Sequence, residues 1–447
     1  MRNAPIIAED TNSWYISRLL VIRMVKRRVF QTLIEIKRRF IEQLTSSKMN
    51  EHGGKAFSRT RSLTLPRMVL CILRGSPYCL QERLDRFYEG IGAKEEAVSK
   101  QAFSKARANL DPEIVKSSFK LTAQTLCSCE DLILYKGKFR LCAIDGSDIT
   151  LDNAQELKDK FGCSGSASNS ATALVSLCYD PLNNIILDGG LYSYGTSERE
   201  ALKGHFAEVE KLPIPKGAKN VYIVDRGYPS KALFAEMSDT GRFFLMRCRK
   251  KFNPEFDMVD KKEKISFEHN GTMYQIRVFR IALSSGESEL LVTNLPGKYL
   301  KRREAGELYF KRWGIETKFN VLKNKLELEN FSGRRSVTVY QDFWAKLDMA
   351  NTAAALAFAT DSEIADNATY SDNKYAQTTN SNRLISKFSE QYLSLMTESD
   401  EEKRLSMFDE LTADIARRPV EIKPDRQVPR KPARKAKFCD RYKRVLR

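Results

Sequence analysis

Histidine and paired cysteines are scarce in this chain of 447 residues. It has three histidines and nine cysteines, and no two cysteines form a Cys-x2-Cys pair. His52, His205 and His269 are far apart, so they lack the spacing of a zinc finger. We therefore expect no structural zinc, and reduced, mostly buried thiols in a cytoplasmic protein.

Long apolar runs are also missing. The longest, such as Leu19–Ile22, are interrupted by arginine or lysine well before the ~18 residues that a membrane span needs. No signal peptide and no internal repeat are recognised. The sequence thus predicts a protein with no membrane partner. Apolar residues still make up 42% of the chain, which is enough for buried cores and excludes wholesale disorder.

Positive charge is what the chain has in excess, with a formal net charge of +18. Residues 1–65 hold 13 basic and 5 acidic residues, and residues 417–447 hold 13 and 3. The residues between them are balanced, so the whole excess lies in two terminal segments. Such segments are typical of proteins that contact a polyanion: nucleic acid more often, an anionic membrane surface less often.

The N-terminal part reads as helical. Residues 1–65 form a basic arm with a helical stretch, either a solvated face or a phosphate-contacting one. Residues 66–130 predict short helices of which the third, capped by Ser99, exposes basic and amide side chains. This pattern favours a helix-turn-helix-like DNA-binding domain, and a plain helical bundle with a basic face is the alternative. The candidate DNA contacts are Lys100, Gln101, Lys105 and Arg107.

From residue 136 the pattern changes to alternating strands and helices. The order is three strands, a helix, a strand, a helix and a strand, up to residue 248. Residues 249–297 then predict a small antiparallel β insertion. Helices follow at about 299–327 and 339–359, a polar linker at 361–383, and C-terminal helices with a basic tail at 384–447.

Two aspartates stand at the ends of apolar strands. Asp145 follows Cys142-Ala143-Ile144, and Asp225 follows Tyr222-Ile223-Val224. Carboxylates on adjacent strands suit a hard cation, although an aspartate before a glycine-containing turn can simply cap that turn. Asp148 and Asp188 are rival candidates, and Asp148 would face away from Asp145 if the strand continued.

One segment after the β insertion carries a denser pattern. Offsets of 3, 7 and 14 residues place Tyr309, Arg312, Glu316 and Lys323 within an arc of about 60° on a continuous helix. One face would then hold an aromatic hydroxyl, two cations and a carboxylate. A solvated face with local ion pairs is the plain alternative.

These residues resemble the Tyr-x2-Arg-x3-Glu-x6-Lys (YREK) motif of the DDE transposases of bacterial insertion sequences, the insertion-sequence-four family. The Ile-Asp-Gly-Ser context of Asp145 and the Val-Asp-Arg-Gly-Tyr context of Asp225 are similar to that family as well. The resemblance covers about residues 95–360 in detail.

The resemblance implies an α/β fold with an RNase H-like catalytic core at 136–248 and 298–360, and helical N- and C-terminal regions. The β-rich segment 249–297 would be an insertion subdomain that interrupts the core. The family's acidic triad corresponds to Asp145, Asp225 and Glu316, as catalytic residues and metal ligands. Tyr309, Arg312 and Lys323 correspond to its DNA-positioning residues.

By the same resemblance the protein would cut and join DNA with two Mg²⁺ ions, for which Mn²⁺ can substitute. Its partners would be transposon ends and target DNA in a synaptic homodimer, in the bacterial cytoplasm at the nucleoid. Many family members form a hairpin with the help of an insertion-domain tryptophan. Here Trp14, Trp313 and Trp344 all lie outside 249–297, where the aromatic candidates are Phe252, Tyr274 and Phe279. Two other functions stay open: an RNase H-like nuclease without strand transfer, and an inactive DNA-binding descendant.

Overall fold

The computed structural model describes residues 10–44, 62–75, 78–165, 170–249, 252, 256, 263–282, 288–368 and 375–423, with the side chains of 10–26 and 368 left aside. Much of both basic terminal segments, and with it their predicted contact with phosphates, lies outside these residues. The chain divides into two compact units. Unit 1 comprises Met1–Thr122 and Trp344–Arg447, and unit 2 comprises Ala123–Phe343.

The helices within the described residues are α1 (Asp10–Gln43), α2 (Leu65–Arg74), α3 (Leu80–Gly90), α4 (Lys100–Arg107), α5 (Pro112–Cys127), α6 (Gln155–Phe161), α7 (Glu198–Glu210), α8 (Lys231–Asp239), α9 (Arg302–Phe310), α10 (Trp313–Asn320), α11 (Ser336–Ala368), α12 (Ser381–Thr397) and α13 (Glu401–Ala416). The strands are β1 (Phe139–Thr150), β2 (Thr172–Asp180), β3 (Ile185–Ser193), β4 (Lys219–Val224), β5 (Phe243–Cys248), β6 (Lys264–His269), β7 (Thr272–Ala282), β8 (Ser288–Thr293), β9 (Gln377–Thr378) and β10 (Val420–Glu421).

Side-chain caps define several helix starts. The Ser99 hydroxyl accepts a hydrogen bond from the Ala102 amide, as its predicted capping role requires. The hydroxyls of Ser197 and Ser230 accept in the same way from the third amide beyond them. Each cap satisfies an amide that has no partner inside its own helix.

Unit 1 is helical and has an aromatic core. The Phe30 ring on α1 stacks on Phe408 of α13 at 5.1 Å between centroids, and it meets Phe388 of α12 edge-on at 5.9 Å. All three rings are buried. The first and last parts of the chain therefore share one hydrophobic core.

The basic cluster at residues 37–39 of α1 includes Lys37, which fits neither interpretation made from the sequence, a solvated face or a phosphate-contacting one. Lys37 is 1% exposed and forms an ion pair with Asp348, which also accepts hydrogen bonds from Ser118 and Thr122. Arg38 donates to the Met396 carbonyl. Because Lys37 is buried, it is not on a solvated face and is unavailable to phosphates. Asp348 supplies the counter-charge that a buried amine needs.

Unit 2 is built on one eight-stranded sheet with the order β3-β2-β1-β4-β5-β8-β7-β6. Strand β2 is antiparallel to both of its neighbours, β1 and β3, whereas β4 and β5 run parallel to β1. The parallel pairs need crossover connections, which α7 and α8 provide. The predicted order of strands and helices up to residue 248 is therefore present, except that an additional short helix, α6, lies between β1 and β2.

Strands β8, β7 and β6 continue this sheet beyond β5. Strand β8 pairs antiparallel with β5 from Leu245↔Thr293 to Cys248↔Leu290. The core cluster accordingly includes Phe279 and Leu291 together with Leu141 and Val221 of the central strands. The predicted β segment is thus an extension of the central sheet.

Three predicted element boundaries differ. The helix predicted at 299–327 is divided into α9, α10 and a π-helical turn at Val321–Lys325. Helix α11 continues to Ala368, eight residues into the predicted linker. Strand β1 runs on to Thr150, past the end predicted at Ile144, because β2 pairs with it as far as that residue. Across the described ranges, no helix is long and apolar enough to span a bilayer.

Candidate active site

The pairing of β1 with β4 places the two strand-end aspartates level with each other. The last paired residues are Ala143 and Ile223, and Asp145 and Asp225 each lie two residues further along. Side chains two residues apart on a strand share a face. Both carboxylates therefore project from the same face at the carboxyl ends of neighbouring parallel segments.

Asp145 lies where β1 loses β4 as a neighbour and stays paired with β2 alone. Its Oδ1 accepts a hydrogen bond from the Gly146 amide at 3.1 Å. Burial raises the pKa of the Asp145 carboxyl to about 6, with the Asp225 and Glu198 carboxylates raising it further and the Arg312 guanidinium opposing them. The site thus concentrates negative charge.

Asp225 caps the turn after β4. Its Oδ1 accepts from the Gly227 amide at 2.7 Å. A Cβ on Gly227 would lie 3.1 Å from that same oxygen. The absence of a side chain at Gly227 therefore allows the backbone of the turn to approach the Asp225 carboxylate closely. The sequence left open whether Asp225 caps a turn or contributes to a cation site; its position is compatible with both roles.

Glu316 reaches the site from the first turn of α10. The Arg312 guanidinium bridges the predicted acids: Nη2 donates to Glu316 Oε1 at 2.9 Å, and Nη1 donates to Asp145 Oδ2 at 3.4 Å. Arg312 is 6% exposed. A buried guanidinium between two carboxylates holds both side chains in place.

Residues between α9 and α10 wind more tightly than an α-helix. The amides of Arg312 and Ile315 bond to carbonyls three residues earlier, those of Tyr309 and Arg312. The π-helical turn then widens the backbone ahead of Lys323. The predicted arc of about 60° assumed a continuous α-helix. These two changes of winding interrupt the helix, so the arc does not describe how the four motif residues are arranged.

The other two motif residues also point into unit 2. Tyr309 is 4% exposed, and its hydroxyl has no hydrogen-bond partner in the described part of the chain. Burial raises the pKa of Tyr309 to about 12. Lys323 Nζ donates to Ser147 Oγ and to the Asp148 carbonyl, each at 2.7 Å. Lys323 thereby ties the π-helical turn to the second half of β1.

The rival aspartates have other positions. Asp148 is exposed on the continued β1, three residues past Asp145 and on the opposite face, as predicted for a strand that continues. Asp188 is buried and accepts from His205 Nδ1 at 2.6 Å, while His205 Nε2 lies 2.8 Å from Ser176 Oγ. Asp188 is therefore part of an internal network.

The predicted DNA contacts of unit 1 lie on α4, and one of them differs. Lys100, Gln101 and Lys105 are exposed. Arg107 is 3% exposed because it is four residues from the buried Phe103 and shares its helix face. The predicted exposure of Arg107 is therefore wrong.

The aromatic residues considered for base stacking are engaged within unit 2. Phe279 is 1% exposed in the core cluster, so it cannot stack on a base. Tyr274 stacks on Phe267 at 5.4 Å and donates to Asp239 Oδ2. Phe252 packs on Phe234 at 5.8 Å.

Two groups of the site had no sequence signal of their own. Glu198 begins α7, where an acidic residue is common in any helix because of the helix dipole. Tyr228 follows the turn after Asp225 and is fully buried. Electrostatic interactions link Tyr228 to Glu198, Asp145 and Asp225. Only the fold brings these groups to the predicted aspartates.

The donor set suits a divalent cation in its chemistry. Carboxylate oxygens are the ligands of hard ions, and the space above Gly227 is bordered by the oxygens of two carboxylates. Within the described ranges, no three Asp, Glu, His or Cys side chains are gathered as a ready metal site. Arg312 lies between Asp145 and Glu316 and supplies the positive charge there.

One family model matches the part of the chain that contains these residues. Residues 136–351, just under half of the chain, match the family model described as the transposase DDE domain. Domains of this family generally use divalent metal ions. No curated protein matches the sequence.

Among solved structures, the chain is similar to one titled "Cryo-EM structure of piggyBac transposase synaptic complex with hairpin DNA (SNHP)". The sequence identity is 10%, with 87% of this chain and 85% of that chain covered and a TM-score of 0.43. A likeness of this size carries no conclusion about the present chain. The comparisons thus show a similarity to the transposase DDE domain for residues 136–351.

Proposed function

We propose that the protein is a bacterial transposase of the insertion-sequence-four type, which binds terminal inverted repeats and performs cut-and-paste transposition. The observation that carries the proposal is the level placement of Asp145 and Asp225 across β1 and β4, joined to Glu316 through Arg312. Structural ion pairs also occur in ordinary cores, but two level carboxylates at parallel strand ends, beside a third, favour phosphoryl chemistry.

The sheet supports an RNase H-like core in this proposal. Its five-strand part has the order β3-β2-β1-β4-β5, with three antiparallel strands followed by two strands parallel to β1. Strands β6 to β8 would be the family's insertion, attached at the β5 edge. Asp145 then lies where the parallel pairing of β1 with β4 ends, and Asp225 lies just past the carboxyl end of β4, a place where ligands of α/β sheets commonly bind.

Asp145, Asp225 and Glu316 would hold two Mg²⁺ ions, or Mn²⁺ in their place. When bound, such ions would supply Lewis-acid activation of an attacking oxygen and stabilisation of the leaving oxygen in an in-line displacement at a phosphodiester. The chain's own residues orient the reaction. Arg312 holds Asp145 and Glu316 at fixed positions, and its guanidinium is suited to a phosphate oxygen of the DNA backbone.

Lys323 and Tyr309 have positioning roles in this scheme. Lys323 fixes the π-helical turn to β1 and adds a positive charge beside the strand that carries Asp145. The Tyr309 hydroxyl, whose pKa is raised by burial, stays protonated at neutral pH, and the Tyr309 ring lies 5.8 Å from the Arg312 guanidinium, so Tyr309 would position Arg312. Outside this site, the exposed Lys100, Gln101 and Lys105 on α4 would contact the terminal repeat.

The same proposal covers the assembly and its location. Pairing of two transposon ends would require a homodimer that holds them in a synaptic complex. A protein that acts on genomic DNA would work in the cytoplasm, associated with the nucleoid.

The test uses the full chain, Mg²⁺ and a supercoiled plasmid that carries the genomic DNA found on both sides of the coding sequence. We expect nicks at the element's ends and joined products, both abolished in Glu316→Gln while DNA binding persists. Glu307→Gln is the matched control, because Glu307 is exposed on α9 and outside the site.

Three results would contradict the proposal. Free cut ends that are never joined would indicate a nuclease without strand transfer. Binding without any cut would indicate an inactive descendant. Unchanged cleavage in Glu316→Gln would remove Glu316 from the site.

A further inference from the structure

A fourth carboxylate lies beside the predicted triad. A Cβ placed on Gly227 would be 2.9 Å from Glu198 Oε2 and 3.1 Å from Asp225 Oδ1, so these oxygens are no more than 6.0 Å apart. A Cβ placed on Gly146 would be 3.3 Å from the other oxygen, Glu198 Oε1. The Glu198 carboxylate therefore lies between the backbone that follows Asp145 and the turn that follows Asp225.

Among the described residues, none neutralises Glu198 with a direct contact. Its side chain has no hydrogen bond or ion pair with any of them, and Arg249 is the cation that acts on it electrostatically. Glu198 is half-buried, and the Asp225 and Asp148 carboxylates act on it as like charges. A carboxylate kept among like charges without a partner is costly unless a cation completes its surroundings.

A second feature is found near the same carboxylates. Tyr228 is fully buried, and its hydroxyl has no hydrogen-bond partner in the described part of the chain. The charges that act on this hydroxyl are those of Glu198, Asp145, Asp225 and Arg312. The hydroxyl thus lies within electrostatic reach of these carboxylates and has no protein partner, as expected beside a site that a further oxygen ligand, such as a metal-bound water, completes.

The position of Glu198 is built into the sheet. Helix α7 begins at Glu198 and carries His205 seven residues later on the same face. His205 is fully buried and joins α7 to Asp188 of β3 and Ser176 of β2. The helix end that presents Glu198 is thus fixed by an internal polar network and is not an exposed, freely moving end.

We propose that Glu198 is a further metal-ligating carboxylate, which shares a divalent ion with Asp225. This inference rests on the proposed function, because it adds a ligand to the same site. Carboxylates from β1, β4, α7 and α10 would then surround the ions, so that the helix after β3 contributes to the chemistry as well as to the fold.

The test measures Mn²⁺ binding without DNA or turnover. Full-length protein is titrated with Mn²⁺, and the free ion is followed by electron paramagnetic resonance. We expect Glu198→Gln to weaken binding at one site by about tenfold or more, the effect of losing ~1.4 kcal/mol. Glu200→Gln is the matched control, since Glu200 lies in the same turn of α7 but is exposed. Its binding curve should equal that of the unchanged protein.

The outcomes separate the two proposals. If Glu316→Gln and Asp145→Asn weaken Mn²⁺ binding while Glu198→Gln does not, the role of Glu198 is overturned and the proposed function stands. If the unchanged protein binds no Mn²⁺, both fail. Thermal unfolding without metal is the folding check, and a Glu198→Gln protein that melts normally but binds Mn²⁺ weakly supports the inference.

Discussion

At the residue scale, the candidate site is a set of charges kept at close range by burial. The Asp145 and Glu198 carboxyls both have raised pKa values, and Arg312 is the one cation that the structure places in direct contact with Asp145 in the described part of the chain. Charge balance there depends on a single guanidinium. The residues that carry the proposed chemistry are therefore also those that cost the fold stability.

Lys318 is a second buried ionisable residue whose charge costs the fold stability, and it is not one of the site residues. Its amine is fully buried on α10, 3.4 Å from the Asn184 carbonyl and over the Tyr179 ring at 5.3 Å. Burial lowers the pKa of Lys318 to about 7. The folded state thus favours the neutral amine, whereas the unfolded chain keeps it charged up to about pH 10.5.

We predict that Lys318→Met stabilises the protein near pH 7 by about 2–4 kcal/mol, at ~1.4 kcal/mol per pKa unit. Between pH 7 and pH 10 the unfolded state binds the extra proton, so the unchanged protein gains stability as the pH rises and the variant does not. Unfolding in urea across that range measures the difference. Lys311→Met, at an exposed position of the same segment, should leave it unchanged.

Sequence reasoning found the residues whose neighbours along the chain were informative. Asp145 and Asp225 follow apolar strands, and Glu316 lies in a motif of fixed spacing. Glu198 and Tyr228 were missed, because their meaning depends on contacts across the sheet that no local pattern encodes. Arg107 was misplaced for a related reason, since an amphipathic helix of eight residues leaves the buried face ambiguous.

At the element scale, the strands of unit 2 were more predictable than its motif helix. Apolar runs bounded by turns identify buried strands, and β2 is buried along its whole length. The changes of winding around Arg312 and at Val321–Lys325 have no comparable signal. They result from packing, as at Gly314, where a Cβ would lie 3.0 Å from Pro181 of the β2–β3 turn.

The polar network on α7 makes a prediction for that helix. His205→Ala removes the partner of Asp188 and leaves a carboxylate buried without its hydrogen bond. We expect a loss of about 2–5 kcal/mol in the free energy of unfolding. Chemical denaturation measures it, with His269→Ala on β6 as the control. Equal stability of the two variants would show that the network does not hold α7.

The turn after β4 makes a second prediction. In Gly227→Ala the new methyl group would meet Glu198 Oε2 at 2.9 Å and Asp225 Oδ1 at 3.1 Å, and the flexible glutamate would have to move. We expect cleavage to fall by on the order of 10²-fold through misplacement, with little change in melting temperature. Gly195→Ala is the control because its Cβ meets open space. Normal cleavage in Gly227→Ala would show that the turn tolerates a side chain.

At the scale of the whole molecule, the excess positive charge and the candidate active site lie in different parts of the chain. The excess of +18 lies in the terminal segments, whereas the candidate site is acidic. Part of the N-terminal charge is used inside unit 1, as Lys37 shows. The C-terminal segment therefore becomes the stronger candidate for contacts with DNA that do not depend on sequence.

Removal of residues 424–447 deletes ten basic and two acidic residues. We expect the variant to bind non-specific duplex DNA more weakly and with a flatter dependence on salt, since each phosphate contact contributes ~0.9 to that slope. Fluorescence anisotropy at several salt concentrations measures the slope. The fold should be unaffected in unit 2, as judged by metal binding. An unchanged slope would place the phosphate contacts elsewhere in the chain.

The division of the chain also determines the order in which it can fold during synthesis. Unit 1 takes its core from both ends of the sequence: Phe30 packs on Phe388 and Phe408, and Lys37 pairs with Asp348. The ribosome therefore completes all of unit 2 before the N-terminal helices meet their partners. Until residue 348 has emerged, Lys37 lacks its counter-charge, and until residues 388 and 408 have emerged, the Phe30 ring lacks the two rings that cover it. A protein cut short before Phe388 would therefore leave its first helix without these rings, although the sheet that carries the carboxylates would be complete.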